Sequence, residues 1–392
     1  MRRFFGGVYA VFIREWRRIS RNGTYLSMLF VLPFVTFLFF ALFFEKGVAE
    51  NLPIAVLDED HSKLSRTLVS MVDETPSAVV AYEIQDMNEG EQLIREGKVY
   101  AVLQIPSRFE KSIMGNGQTH VELYNSGANI SVNSLLAKDI QTAVTSFTVG
   151  VELQVLQSQG LTASQAMAQA MPIRFTKHVL FNPYINYGYY VAPCFMAMML
   201  MIFTILASIY AAGTELKYGT ARQWLDAGNG SIGAALFGKM LPITIVMSIV
   251  AVAMFIVIFN IMGAPMNGSA FMLGISTLVF IISYQCIGIA VLTITANMRL
   301  ALSFGGGYSV LAFTFSGLTF PTMAMAPVLQ WFSCLFPFTF YMKSFVDQSL
   351  RGAPAGISMP DIAYMMIFCI LPVLLINRLK SECIDSKYWG KL

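Results

Sequence analysis

The sequence predicts an α-helical polytopic membrane protein with six transmembrane helices and an inserted extracytoplasmic α/β domain. Three observations predict it. Only 12% of the 392 residues are Asp, Glu, Lys or Arg while 56% are hydrophobic, against about 25% charged in a soluble domain. The apolar residues gather into uncharged runs long enough to cross a bilayer, which takes about 20 residues. The charge is also divided: residues 45–185 hold ten Lys/Arg and sixteen Asp/Glu, the rest sixteen and seven. An acidic soluble domain thus interrupts a basic membrane protein. This composition excludes a disordered, collagen-like or low-complexity chain and an ordinary cytosolic enzyme. The basic residues sit beside apolar spans, where membrane topology accounts for them, so nucleic acid is not an expected partner.

Residues 1–22 predict an amphipathic interfacial helix. Phe5, Val8, Phe12, Trp16 and Ile19 recur at steps of three and four, and Arg14, Arg17, Arg18 and Arg21 fall opposite. Such a helix lies in the headgroup plane with its arginines toward anionic lipid; a plain topogenic charge cluster is the alternative. Residues 23–44 are the first span, an uncleaved anchor, too long for a signal-peptide core and kinked at Pro33. Residues 187–211 are the second span. Residues 240–298 carry no charge, and the turn at 263–269 divides them into a third span near 239–262 and a fourth near 270–296. The fifth is 300–320, where Gly305, Gly306 and Gly307 either admit a neighbouring helix or loosen the chain. Pro321, Pro327 and Pro337 break residues 321–342 into a re-entrant or interfacial element, tolerable at membrane depth only against protein. The sixth span, 361–377, is short and holds Pro372.

The Lys/Arg bias sets the orientation. The N-terminal arginines, Lys217, Arg222, Lys239, Arg299 and the tail 379–392 with Lys391 all fall on one face, the cytoplasm. Both termini are then inside and residues 45–185 outside. Within that insert, PIAVL, AVVAYEI, VYAVLQI and THVELYN alternate with amphipathic stretches, which predicts a mixed α/β fold. Leu136, Ile140, Val144, Phe147, Val151 and Val155 predict a long helix, and Thr162 with Gln165 a capping box. The domain returns to the membrane through Phe181, Asn182 and Pro183.

Little in the sequence supports catalysis. Gly233 to Met240 approaches a phosphate-binding loop, but Met240 stands where Mg²⁺ needs Ser or Thr, and an apolar span follows. Lys239 reads as an inner-face anchor. His61, His120 and His178 lack metal-ligand spacing, and Asp58, Glu59 and Asp60 read as a solvated turn. The five cysteines, all outside the insert, read as isolated thiols. No cofactor, metal or catalytic residue is expected. The stretch Glu215 to Ser231 predicts a cytoplasmic helix over 214–226, which either docks on a soluble partner or simply connects spans.

At these residues the chain resembles the type-2 ABC exporter permeases, the bacterial drug- and lipid-exporter branch with a large extracytoplasmic domain. The resemblance runs nearly full length. It is carried by LPIAVLDED with EGKVYAVLQIPSRFEKSI, by Glu215, Gly219 and Thr220 in Glu-x-x-x-Gly-Thr, and by Ser316 to Tyr341. It implies a membrane subunit that pairs with a second permease chain as homodimer or heterodimer. ATP and Mg would be bound by separate ABC ATPase subunits, and a periplasmic adaptor is a further implied partner. It implies ATPase contact by the interfacial helix (Phe5, Phe12, Arg14, Trp16, Arg17, Arg18) and by a coupling helix with Glu215, Gly219, Thr220 and Arg222. Trp224 to Ser231 lacks the proline usual after that helix. The re-entrant segment would lie at the outer exit.

The expected function is ATP-driven export of hydrophobic or amphipathic cargo across a bacterial inner membrane. Spans without charge argue against an ion or sugar path. Met196, Met199, Phe203, Phe304 and Phe313 are the candidate pathway, since methionine adapts to varied ligands. The alternative is a membrane-anchored receptor or secretion-apparatus scaffold that transports nothing.

Overall fold

The computed structural model describes residues 2–115, 117–171, 179–182, 186–318 and 320–390. Pro183, His178 and Lys391 lie outside the described residues. The chain divides into two compact units, Met1–Gly47 with Val179–Leu392, and Val48–His178.

The first unit opens with α1 (Arg2–Arg21), which buries Gly7, Val11, Glu15 and Ile19. That corrects the expected arginine face at Arg14 and Arg18. Phe5 and Trp16 are exposed, and Arg14 and Arg18 turn inward, because buried carboxylates there need cations more than the arginines need lipid. Asn22 then caps α2 (Gly23–Phe43), accepting from the Tyr25 N–H. Ser27–Val31 forms a π-helical turn just before Pro33, a recognised origin of helix bends.

The second unit holds a four-stranded sheet in the order β2-β1-β3-β4, with β1 (Leu52–Asp58), β2 (Ala78–Glu83), β3 (Ala101–Ile105) and β4 (Glu122–Asn125). β1 runs parallel to β2 and β3, and β4 antiparallel to β3. The crossovers carry α3 (Lys63–Asp73), α4 (Met87–Arg95) and α5 (Phe109–Met114). α6 (Ile130–Ser158) and α7 (Ala163–Ala170) follow, α7 with the predicted capping box. Strand alternation sorts two cores. Ile54 and Val56 pack with Leu68, Phe109, Leu136 and Phe147; Ala55 and Leu57 pack with Ile84 and Val102.

Returning to the first unit, α8 (Tyr187–Lys217) runs six residues past the expected end of span two and so carries Glu215 in its last turn. The helix expected over 214–226 is broken. Gly219 takes φ +69° and separates α8 from α9 (Ala221–Ala227). Ser231 caps α10 (Ile232–Ile261), starting it seven residues before the predicted span. Lys239 therefore lies two turns inside a helix and is no anchor at its end. The near phosphate-loop is part of this helix.

The loop at 263–269 leads to α11 (Ala270–Thr295), capped by Ser269, and then α12 (Met298–Thr314). α12 has 17 residues and ends at Thr314, six residues before the expected end at 320; Gly317 (φ +88°) turns the chain just beyond it. Gly305 faces α8, where a Cβ would come within 2.8 Å of Ile209, while Gly306 and Gly307 face open space. Pro327 and Pro337 occupy the first turns of α13 (Pro327–Ser333) and α14 (Pro337–Val346), where a missing N–H costs nothing. α14 is packed against α11 and buries Phe338 and Tyr341; α13 leaves Val328 and Trp331 exposed. The last helix, α15 (Ala355–Ile384), is far longer than 361–377 and is interrupted near Phe368 and Leu375. All five cysteines are free thiols, Cys194 and Cys383 buried and Cys334 exposed.

Among the described residues, α2, α8, α10, α11 and α15 are long and apolar enough to cross a membrane.

Candidate functional site

Three helices of the first unit meet at a buried ion cluster. On α1, Val11, Arg14, Glu15 and Arg18 share a face by three- and four-residue spacing. On α8, Ala211, Thr214 and Glu215 do the same. α10 supplies Lys239, and Gly238 beside it lets α1 approach: a Cβ there would sit 2.6 Å from the Val8 carbonyl oxygen and 2.9 Å from Val11 Cβ.

Lys239 Nζ donates to Glu15 Oε2 at 2.6 Å and to Glu215 Oε1 at 2.8 Å. Arg14 Nη2 donates to Glu215 Oε2 at 2.9 Å, and Arg18 Nη1 to Glu215 Oε1 at 3.2 Å. The Tyr25 hydroxyl donates to Glu15 Oε1 at 3.0 Å, and the Thr220 hydroxyl donates to Glu215. The lysine ammonium lies 5.1 Å from the Trp224 ring centroid, and that indole N–H is held by the Ala235 carbonyl at 3.0 Å. Glu15, Glu215 and Lys239 are each no more than 1% exposed.

Such charges cost several kcal/mol each to desolvate, roughly, unless paired. Every one here is paired, but only when α1, α8 and α10 are in register. The cluster therefore specifies how the peripheral helix sits on the two long helices. It has no nucleophile poised on a base and holds no geometry for bond making.

A cationic edge of α1 runs from the inward Arg14 and Arg18 to the exposed Arg17 and Arg21. A crevice of about 370 Å³ is lined by Ala10, Ile13, Arg14, Arg17, Arg18 and Arg21. Arg14 Nη1 is buried and has no hydrogen-bond partner among the described residues. One donor of the cluster thus remains free next to an arginine-lined surface.

Of the residues singled out from sequence, the structure brings Arg14, Arg18, Glu215 and Thr220 together. Arg17 and Arg222 are exposed, as are Phe5 and Trp16, with Trp16 stacked on Phe12 at 5.9 Å. Gly219 supplies the break between α8 and α9. Met196 is fully buried, Met199 and Phe203 half-buried, and Phe313 lies 5.2 Å from Phe195 by ring centroids. Phe304 is 61% exposed and joins none of them. Pro321 precedes a 3₁₀ turn, Thr322–Ala324. Sequence reasoning missed Glu15, Tyr25, Trp224 and the role of Lys239. A lone acid among six arginines, and a lone lysine in an apolar run, were the available signals.

Comparison with curated proteins finds no match to this chain. The family model described as ABC-2 family transporter protein matches residues 24–377. With that match over most of its length and five long apolar helices, the chain belongs to the ABC-2 transporter family, as a multi-pass permease subunit that works with an ABC ATPase.

Proposed function

We propose that this permease is the membrane subunit of an ATP-driven exporter in a bacterial inner membrane, moving hydrophobic or amphipathic cargo outward. The observation that carries the reading is the ion cluster. It ties α1 to the long helices α8 and α10 through Glu215, Lys239 and Glu15, and the connector α9 joins it through Thr220 on Glu215 and Trp224 beside Lys239. A partner ATPase with an acidic surface would dock on α1 and α9, with Arg14, Arg17 and Arg222 available to meet it. A tilt of α1 would then reach the spans through paired charges that cannot separate cheaply.

The chain crosses six times in this reading, with α12 as a short fifth crossing. Both termini are cytoplasmic and the α/β unit is outside, as the Lys/Arg bias favours. Two permease chains form the pathway, with Met196, Met199, Phe203 and Phe313 on α8 and α12 near it. Pro321, Pro327 and Pro337 shape the outer exit, and an adaptor would meet the outer unit. ATP and Mg belong to the ATPase.

Co-purification from native membranes tests this reading. A bound ATPase, together with ATP-dependent efflux of an amphipathic dye from vesicles, is the expected result. A stable complex with an outer partner, but no ATPase and no efflux, would establish the receptor or scaffold instead.

A further inference from the structure

We propose that the α/β unit holds a binding site for an amphipathic monocation of drug size, in the cavity between α3, α5 and the C-terminal half of α6. The cavity measures about 580 Å³, within the few-hundred to thousand Å³ range, roughly, of small-molecule pockets. It arises from a mismatch of lengths. α6 has 29 residues and so runs about 44 Å at 1.5 Å per residue. No strand beneath it exceeds seven residues, about 23 Å. The first half of α6 spends Leu136 and Ile140 on the sheet. Its second half repeats apolar residues at the same spacing; Phe147 and Val151 close the edge of the core and also line the cavity, beside the exposed Thr148 and Glu152.

The walls and the rim specify the ligand. Ile113, Phe109, Phe147 and Val151 make an apolar wall, and the Phe109 and Phe147 rings stack at 6.0 Å. Gln118, Thr119 and Thr148 add neutral polar groups. Glu152 is the one ionisable lining residue, exposed at the rim, and among the described residues it has no ion-pair partner. A lone carboxylate at the rim of an apolar wall favours a ligand with one positive charge and an apolar body. The ten Lys/Arg and sixteen Asp/Glu of residues 45–185 add a long-range attraction of the same sign. An anionic ligand would meet Glu152 unfavourably and finds no basic group on the lining. This site rests on the exporter reading only for the ligand's being cargo; that the ligand binds rests on the cavity alone.

The test uses the full-length protein in detergent, without the ATPase, so that failure of the exporter reading cannot be mistaken for failure of this one. Thr148→Cys is introduced together with Cys334→Ser, which removes the exposed native thiol. The rate of maleimide labelling at position 148 is followed with tetraphenylphosphonium and with triphenylphosphine oxide, its uncharged analogue. The cation is expected to slow labelling at lower concentration than the oxide. Adding Glu152→Gln should raise the half-protecting concentration of the cation about two- to fivefold, the worth of an exposed ion pair, and leave the oxide unchanged. Absence of protection by the cation would overturn the site. Equal protection by both probes, indifferent to Glu152→Gln, would overturn the ligand class.

Discussion

Lys239 and Glu15 stand 224 positions apart in the chain, yet their side chains meet at 2.6 Å with both almost wholly buried. Neither is stable there alone. Removing one partner of a buried pair typically costs about 3–5 kcal/mol, because the other charge is stranded. Lys239→Met is therefore expected to lose about that much stability, read as lowered thermal stability in detergent. Adding Glu15→Gln should recover part of the loss, giving a coupling energy above about 1 kcal/mol in a double-mutant cycle. Strict additivity would mean the two do not interact.

Gly238 sets how closely α1 lies on α10. A side chain at this position would meet the Val8 carbonyl oxygen at 2.6 Å, and a backbone atom cannot swing aside. Gly238→Leu is expected to cost about 1–3 kcal/mol, as overpacking does, and to open α1 to trypsin at Arg17 and Arg21. Unchanged cleavage would contradict the packing.

Asp60 caps α5 from another segment. Burial pushes its carboxyl upward, but the N–H of Glu110 at 2.9 Å, with Ser62, Phe109 and Arg108, outweighs this and holds it below the usual carboxylate range. A depressed folded pKa stabilises above the unfolded pKa and loses that contribution as pH falls through the folded value. Asp60→Asn should therefore speed hydrogen exchange in Phe109–Met114 at neutral pH, by the equivalent of about 0.5–1 kcal/mol. The difference from wild type should shrink in acid. A pH-independent difference would show that the charge is not what matters.

Topology is checked by labelling. With Cys334→Ser removing the exposed thiol, an impermeant maleimide should reach Asn88→Cys on α4 in intact spheroplasts but not Gln223→Cys on α9. Both residues are exposed in the fold. Labelling at both positions would refute the orientation.

Much of the architecture was legible because it rests on short-range patterns. Uncharged runs marked the long helices, the short apolar runs PIAVL and VYAVLQI between amphipathic stretches marked β1 and β3, and Thr162 with Gln165 marked the start of α7. What was missed depends on contacts distant in sequence. The α1 pattern correctly predicted a helix, but which face turns inward is decided by Glu215, some two hundred residues on. The end of α8 was placed too early because a glutamate in an apolar stretch reads as a boundary, whereas the chain carries it into the interior to meet Lys239. The helix over 214–226 failed at Gly219, where a positive φ outweighs the neighbouring helical spacing. The apolar wall under α6 was visible as periodicity. That half of it faces a cavity could not be read without the strand lengths.

The central claim is that Glu215 transmits force between α1 and the spans. Glu215→Gln keeps the shape and the Thr220 contact and leaves Lys239 paired with Glu15, so the fold should persist. The decisive measurement is the ratio of cargo transported to ATP hydrolysed, in proteoliposomes holding the permease and its ATPase. Hydrolysis near the wild-type rate with transport down about tenfold, a coupling loss of ordinary allosteric size, is the predicted result. An unchanged ratio would contradict the account and leave the cluster as a packing device alone.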